Sequence, residues 1–142
     1  MRPELDHFAN SRLLSCLGAH GMAVSAGTVI AVDGYEIHAH PDLAARLDEA
    51  RPPGVGPAVI AFGIPVLLYN RIAFAFAAGT TLVALRLGDE VPDLVHSSLG
   101  EYATAGPDWH GVDAWQGHLT AEDGLRHLCE WVDRARRYVA LL

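Results

Sequence analysis

The chain contains no lysine: its ten basic residues are all arginine, set against seventeen acids. This removes Schiff-base chemistry and Walker-type phosphate loops, since both need a lysine amine. The resulting formal charge of −7 argues against direct nucleic-acid binding, which relies on clustered cations to neutralise phosphates. Cysteine is scarce as well. Cys16 and Cys129 stand far apart and neither belongs to a C-x-x-C motif, so they read as free thiols of a cytoplasmic protein rather than as a disulfide. Long apolar runs are missing. The longest, Val59 to Tyr69, is broken by Gly63 and Pro65 and is too short to span a bilayer, so no membrane role is expected. Arg2 is followed by Glu4 and Asp6 rather than by an apolar segment, which speaks against a secretory signal. Ser11 and Ser97-Ser98 lack a G-x-S-x-G setting, and Gly54-Val55-Gly56-Pro57 follows two prolines and reads as a rigid linker.

What is present suffices for one domain over residues 1–142. Just over half of the chain, 51%, is apolar. A first helix is expected from Leu5 to Gly18, capped by Asp6 and ended by Gly18 and Gly21. Asp33-Gly34 between Thr28–Ala31 and Tyr35–Ala39 signals a hairpin. Together these form an extension over residues 1–40. His40-Pro41-Asp42 opens a short helix with Leu43, Leu47 and Ala50 on one side, and the Pro/Gly-rich stretch 51–57 breaks the chain. A meander follows over Ala58–Phe62, Val66–Tyr69, Ile72–Ala77 and Thr81–Leu87, with Ile72, Phe74 and Phe76 expected on the core face and the alanines on the other. Asp89 to His96 reads as a short helix with Pro92 in its first turn, Gly106 onward as a loop, and Val112–Trp115 as a short strand. Thr120 with Asp123 resembles a capping box. It precedes a terminal helix whose stripe is Leu125, Leu128, Val132, Ala135, Val139 and Leu142. The expected class is α+β: two layers, an antiparallel meander sheet with helices on one face.

Three stretches carry a family resemblance: Phe62-Gly63, Tyr69-Asn70-Arg71 before Ile72-Ala73-Phe74-Ala75, and Leu85-Arg86 at the end of a strand. Trp115 on a short strand before an Ala- and Arg-rich terminal helix completes it. From about Leu43 to Leu142 the chain resembles the TfoX N-terminal domain and the MmcQ/YjbR-like proteins, with residues 58–142 as the core of the match. The resemblance implies a secretion-chaperone-like α+β fold and either a non-enzymatic regulatory role of the competence-transcription type or no assigned role. The regulatory role is exercised through a protein partner or a homodimer, with no cofactor and no family catalytic residues to carry over. Residues 1–40 depart from the pattern.

Two constellations suggest an alternative, a small-molecule or metal-binding protein. His38 and His40 form an H-x-H pair that, on a strand, points two imidazoles to one side. With Asp42, His20 or Glu36 they would suit a divalent transition metal; as plain structure they mark a strand end. Asp108-Trp109-His110-Gly111-Val112-Asp113-Ala114-Trp115 packs two tryptophans, two acids and an imidazole into eight residues. As a ligand site, Trp109 and Trp115 would stack a ligand while His110 works with Asp108 or Asp113 as acid and base. As structure, the tryptophans seal the sheet against the last helix. Arg134, Arg136 and Arg137 make a basic cluster that suits an acidic partner or a solvated helix face.

Overall fold

A computed structural model of the chain describes residues 5–25 and 39–142, with the backbone alone for 20–25. The Asp33-Gly34 hairpin and His38 lie outside the described residues. Five strands form one antiparallel sheet in chain order: β1 (Val59–Ala61), β2 (Ile64–Tyr69), β3 (Ile72–Ala78), β4 (Leu82–Arg86) and β5 (Trp109–Asp113). The connections explain the order. Phe62 and Gly63 take φ of +52° and +84°, and Asn70 and Arg71 take +51° and +68°. Two consecutive positive-φ residues match the right-handed twist of a tight hairpin, which fixes the register of β1–β2 and β2–β3. The α+β antiparallel architecture is the one that the sequence pattern implies.

One face of the sheet is covered by α2 (Pro41–Glu49) and α3 (Ala121–Val139). Leu43, Leu47, Leu128, Val132 and Ala135 are each fully buried there against Phe74, Val83, Leu85 and Val112. The opposite face is also covered. Leu13, Cys16 and Leu17 of α1 (Ser11–Ser25) and Tyr102 of a 3-10 segment (Gly100–Ala105) pack on Phe76, Ala84 and Trp109.

A bulge sends the two phenylalanines apart. Leu67 pairs with Ala75 but Leu68 pairs with Ala73, so Phe74 is an extra residue in β3. An extra residue inverts the side-chain alternation beyond it. Ile72 and Phe74 therefore face α2 and α3, while Phe76 faces α1, not the single core face that strict alternation predicts.

Other elements also depart from expectation. α1 begins at Ser11 after a 3-10 turn (Phe8–Asn10) capped by His7, whose Nδ1 accepts the Ala9 N–H at 3.0 Å, so Asp6 is not the cap. The helix runs through Gly18, which lies against the Phe62 ring. A Cβ at Gly18 would stand 3.3 Å from that ring, so close packing outweighs a propensity cost of about 1 kcal/mol. Asp89 to His96 is not a helix. Its end is drawn out as an edge partner of β5: Ser97 N–H donates to Gly111 O at 3.0 Å and Asp113 N–H to Val95 O at 2.8 Å. Cys16 and Cys129 are free thiols. Among the described residues, no helix is long and apolar enough to cross a membrane.

Candidate functional site

β5 starts at Trp109, three residues earlier than the sequence pattern suggests, so Trp109 and His110 lie on a strand and not in a loop. Successive strand residues point to opposite faces, which separates the members of the predicted ligand site. Trp109 is 4% exposed, with its ring centroid 5.3 Å from that of Phe76 on the α1 side. His110 lies on the α3 side, its Nε2 2.8 Å from Gly88 O. Asp108 accepts from Arg86 Nε at 2.7 Å, and Arg86 also donates from Nη1 to Ala9 O at 3.1 Å while lying 5.8 Å over the Trp109 ring. Asp113 Oδ1 accepts the Trp115 backbone N–H at 2.8 Å. Trp115 is partly open, but its indole N–H donates to Thr80 O at 3.0 Å and its ring covers Arg46 at 5.2 Å. The five predicted residues thus do not converge on one surface: Trp109 and His110 point to opposite faces of the sheet, and Trp115 covers Arg46.

The residues below that indole are tightly placed. Arg46 is buried and donates from Nε to Ala114 O at 3.1 Å. Gln116, fully buried with φ of +47°, accepts the Val95 N–H at 2.9 Å and donates to Asp113 O at 2.7 Å. Together they lock the turn after β5 to α2 and to the 95–97 segment.

His40 caps α2 through Nδ1, which accepts the Asp42 N–H at 3.0 Å. A metal at the H-x-H pair would therefore take Nε2 of His40. His38, Glu36 and the His20 side chain lie outside the described residues, and among the described residues no group of three or more His, Cys, Asp or Glu is placed to hold a metal ion. Cys129, whose thiol donates to Glu49 O at 3.8 Å, has its pKa pushed up chiefly by burial, against the pull of Arg46. A raised thiol pKa means little thiolate at neutral pH, which does not suit a nucleophile.

Among the described residues, two concave surfaces lie away from these groups. A recess of about 400 Å³ lies between the β3–β4 turn, Ala78–Leu82, and the segment Ser98–Tyr102. Beside it Tyr102 is buried, and its phenol is pushed up to about 12, first by burial and then by Glu101 and Cys16. The second, about 350 Å³, lies along the end of α3 and is lined by Leu87, Glu90, Arg134, Arg137, Tyr138 and Leu141. The arginine cluster was the one available signal for it; nothing in the sequence marked the first. Set against protein-family models, curated proteins and solved structures, the chain has no significant match in any of the three.

Proposed function

We propose that the chain is a non-enzymatic cytoplasmic interaction or regulatory domain, of the kind that its resemblance to the TfoX and YjbR-like proteins implies. It would act by contact with another protein or with a second copy of itself. The observation that carries this reading is the inward use of the chemistry-bearing groups around β5. Asp108 is held by Arg86, Asp113 by a backbone N–H, and His110 by the Gly88 carbonyl. A general acid or base has to exchange a proton with a substrate, whereas these two carboxylates accept from protein N–H groups and the imidazole is bonded to a backbone carbonyl. Large apolar side chains face outward instead, among them Val91 at 61% and Ile60 at 51% exposed. Native mass spectrometry of untagged protein, alone and as His110→Ala, tests this reading. The expected spectrum shows protein masses without a retained small molecule. An adduct lost in the variant would replace the reading with ligand binding on β5.

A second reading, small-molecule binding, is favoured by the recess at the β3–β4 turn, which brings Thr80, Thr81, Ser98 and Glu101 around about 400 Å³. An adduct retained by His110→Ala but lost in Glu101→Gln would place a ligand there. Metal analysis of the same sample tests the His38/His40 alternative.

A further inference from the structure

The groove at the end of α3 has a rigid floor and one loosely held cation. Gly88 sits at φ of +66°, and Tyr138 lies so close that a Cβ at Gly88 would stand 2.6 Å from Tyr138 Cε1. The Arg134 guanidinium lies 4.3 Å from the centroid of the Trp131 ring and is ion-paired with Glu90 across the groove. Stacking and pairing hold that arginine in place before any ligand arrives, so little side-chain freedom remains to be lost on binding. Arg137 differs. Its partner Asp133 is shared with Arg136, which holds the shorter contact, 2.8 Å against 3.3 Å. The Arg137 side chain is 61% exposed.

The charges do not cancel. Of the charged residues that line the groove, Arg134 and Arg137 are cationic and Glu90 alone is acidic; Arg136 lies off it, over the Tyr69 ring at 5.1 Å. This local positive excess stands on a chain whose formal charge is −7. Apolar groups flank it: Leu141, which lines the groove, is 87% exposed, and Val91, next to Glu90, is 61% exposed. Arginine and tyrosine beside exposed aliphatic side chains is the composition of an interface centre.

We propose that this groove docks an acidic segment of a partner protein that carries an apolar anchor. Carboxylates of the segment would meet Arg137, and the anchor would pack between Tyr138 and Leu141. The inference rests on the interaction-domain reading above and names the surface and the partner's chemistry. A small anion would use the arginines but leave Leu141 and Val91 without a role. An anionic bilayer calls for a broader basic field than two arginines that are each already paired with a carboxylate.

A peptide-display selection on the immobilised full chain, from a random library, tests the proposal. Recovered peptides should be enriched in Asp or Glu near Leu or Phe. A synthesised winner should bind about tenfold or more weakly to Arg137→Glu and to Leu141→Asp, and more weakly as salt is added. Both changes are at exposed positions, and circular dichroism checks that each variant stays folded. Winners without acids, or winners that bind Arg137→Glu as tightly as the parent, would overturn the groove and leave the interaction reading standing. No enrichment over bare support would overturn both. Co-sedimentation with phosphatidylserine vesicles that is lost in Arg137→Glu would assign the surface to a membrane and overturn the proposal.

Discussion

Ala73 donates its backbone N–H to Oδ1 of Asn10 at 2.8 Å, joining residues 63 apart at the start of the β3 bulge. The same amide donates from Nδ2 to Arg71 O at 2.8 Å and to Leu5 O at 3.3 Å, and Asn10 is fully buried. One side chain thus answers three backbone groups, two at the start of β3 and one, Leu5 O, outside the sheet. Asn10→Ala would remove the amide from all three, two of them in buried bonds, for an expected loss of about 2–4 kcal/mol. Urea denaturation measures it. A loss below about 1 kcal/mol would mean that water replaces the amide and that the bulge does not depend on it.

Gly111 is the point where the 95–97 segment closes on β5. A Cβ at this position would stand 2.2 Å from Ser97 O and 2.9 Å from Leu82 Cδ1. Backbone cannot yield as a flexible side-chain tip can, so Gly111→Ala is expected to push the segment off the sheet and to cost about 1–3 kcal/mol. Amide exchange gives the specific readout: Ser97 and Asp113, whose N–H groups bond across this edge, should lose protection while β2 and β3 keep theirs. Uniform loss of protection would point to global destabilisation instead.

These two sites show where sequence reading succeeds and where it stops. The strands of the meander are legible because Asn70-Arg71 punctuates runs of β-prone residues and adopts positive φ, whereas Phe62, which reads as the end of a strand, turns with Gly63 so that β2 starts at Ile64. α3 was legible from Thr120 and its stripe: Thr120 Oγ1 accepts the Asp123 N–H at 3.1 Å, and Leu128, Val132, Ala135 and Val139 are buried. The bulge was not, because Ile72-Ala73-Phe74-Ala75-Phe76 alternates in size whichever residue is extra. Only pairing with β2 and the Asn10 amide decides. The segment from Asp89 to His96 reads as a helix because Pro92 suits a first helical turn, while the course of its end is set by Gln116 and Gly111 more than a dozen residues on. For the same reason Trp109 and His110 looked like neighbours in a site. Strand alternation, not sequence distance, separates them.

Arg86 ties three elements together and is mostly shielded, with its side chain 14% exposed beside Asp108 at 24%. Arg86→Met would keep much of the packing over Trp109 but leave the Asp108 carboxylate and Ala9 O without their donor. A charged hydrogen bond in such a setting contributes about 1.5–3 kcal/mol. The double variant Arg86→Met/Asp108→Leu should recover part of this loss, since it removes the stranded charge. Equal stability of the single and double variants would show that Asp108 finds water once Arg86 is gone.

Tyr102 sets a pH limit on the fold. Its phenol is raised from 10.0 to about 12, with burial as the largest cause and Glu101 next. Above pH 10 the unfolded chain gives up a proton that the native state still holds, so the unfolded state binds fewer protons and stability falls as pH rises. The Tyr102 contribution is complete below pH 10 and is lost as pH climbs through about 12. Phenolate absorbance of the folded protein should show a step near pH 12 that belongs to Tyr102. Tyr102→Phe keeps the ring against Phe76, where the centroids are 5.6 Å apart, and should remove both that step and part of the alkaline loss of stability. Identical alkaline profiles for the parent and the variant would mean that the phenol reaches solvent, and that another group sets the limit.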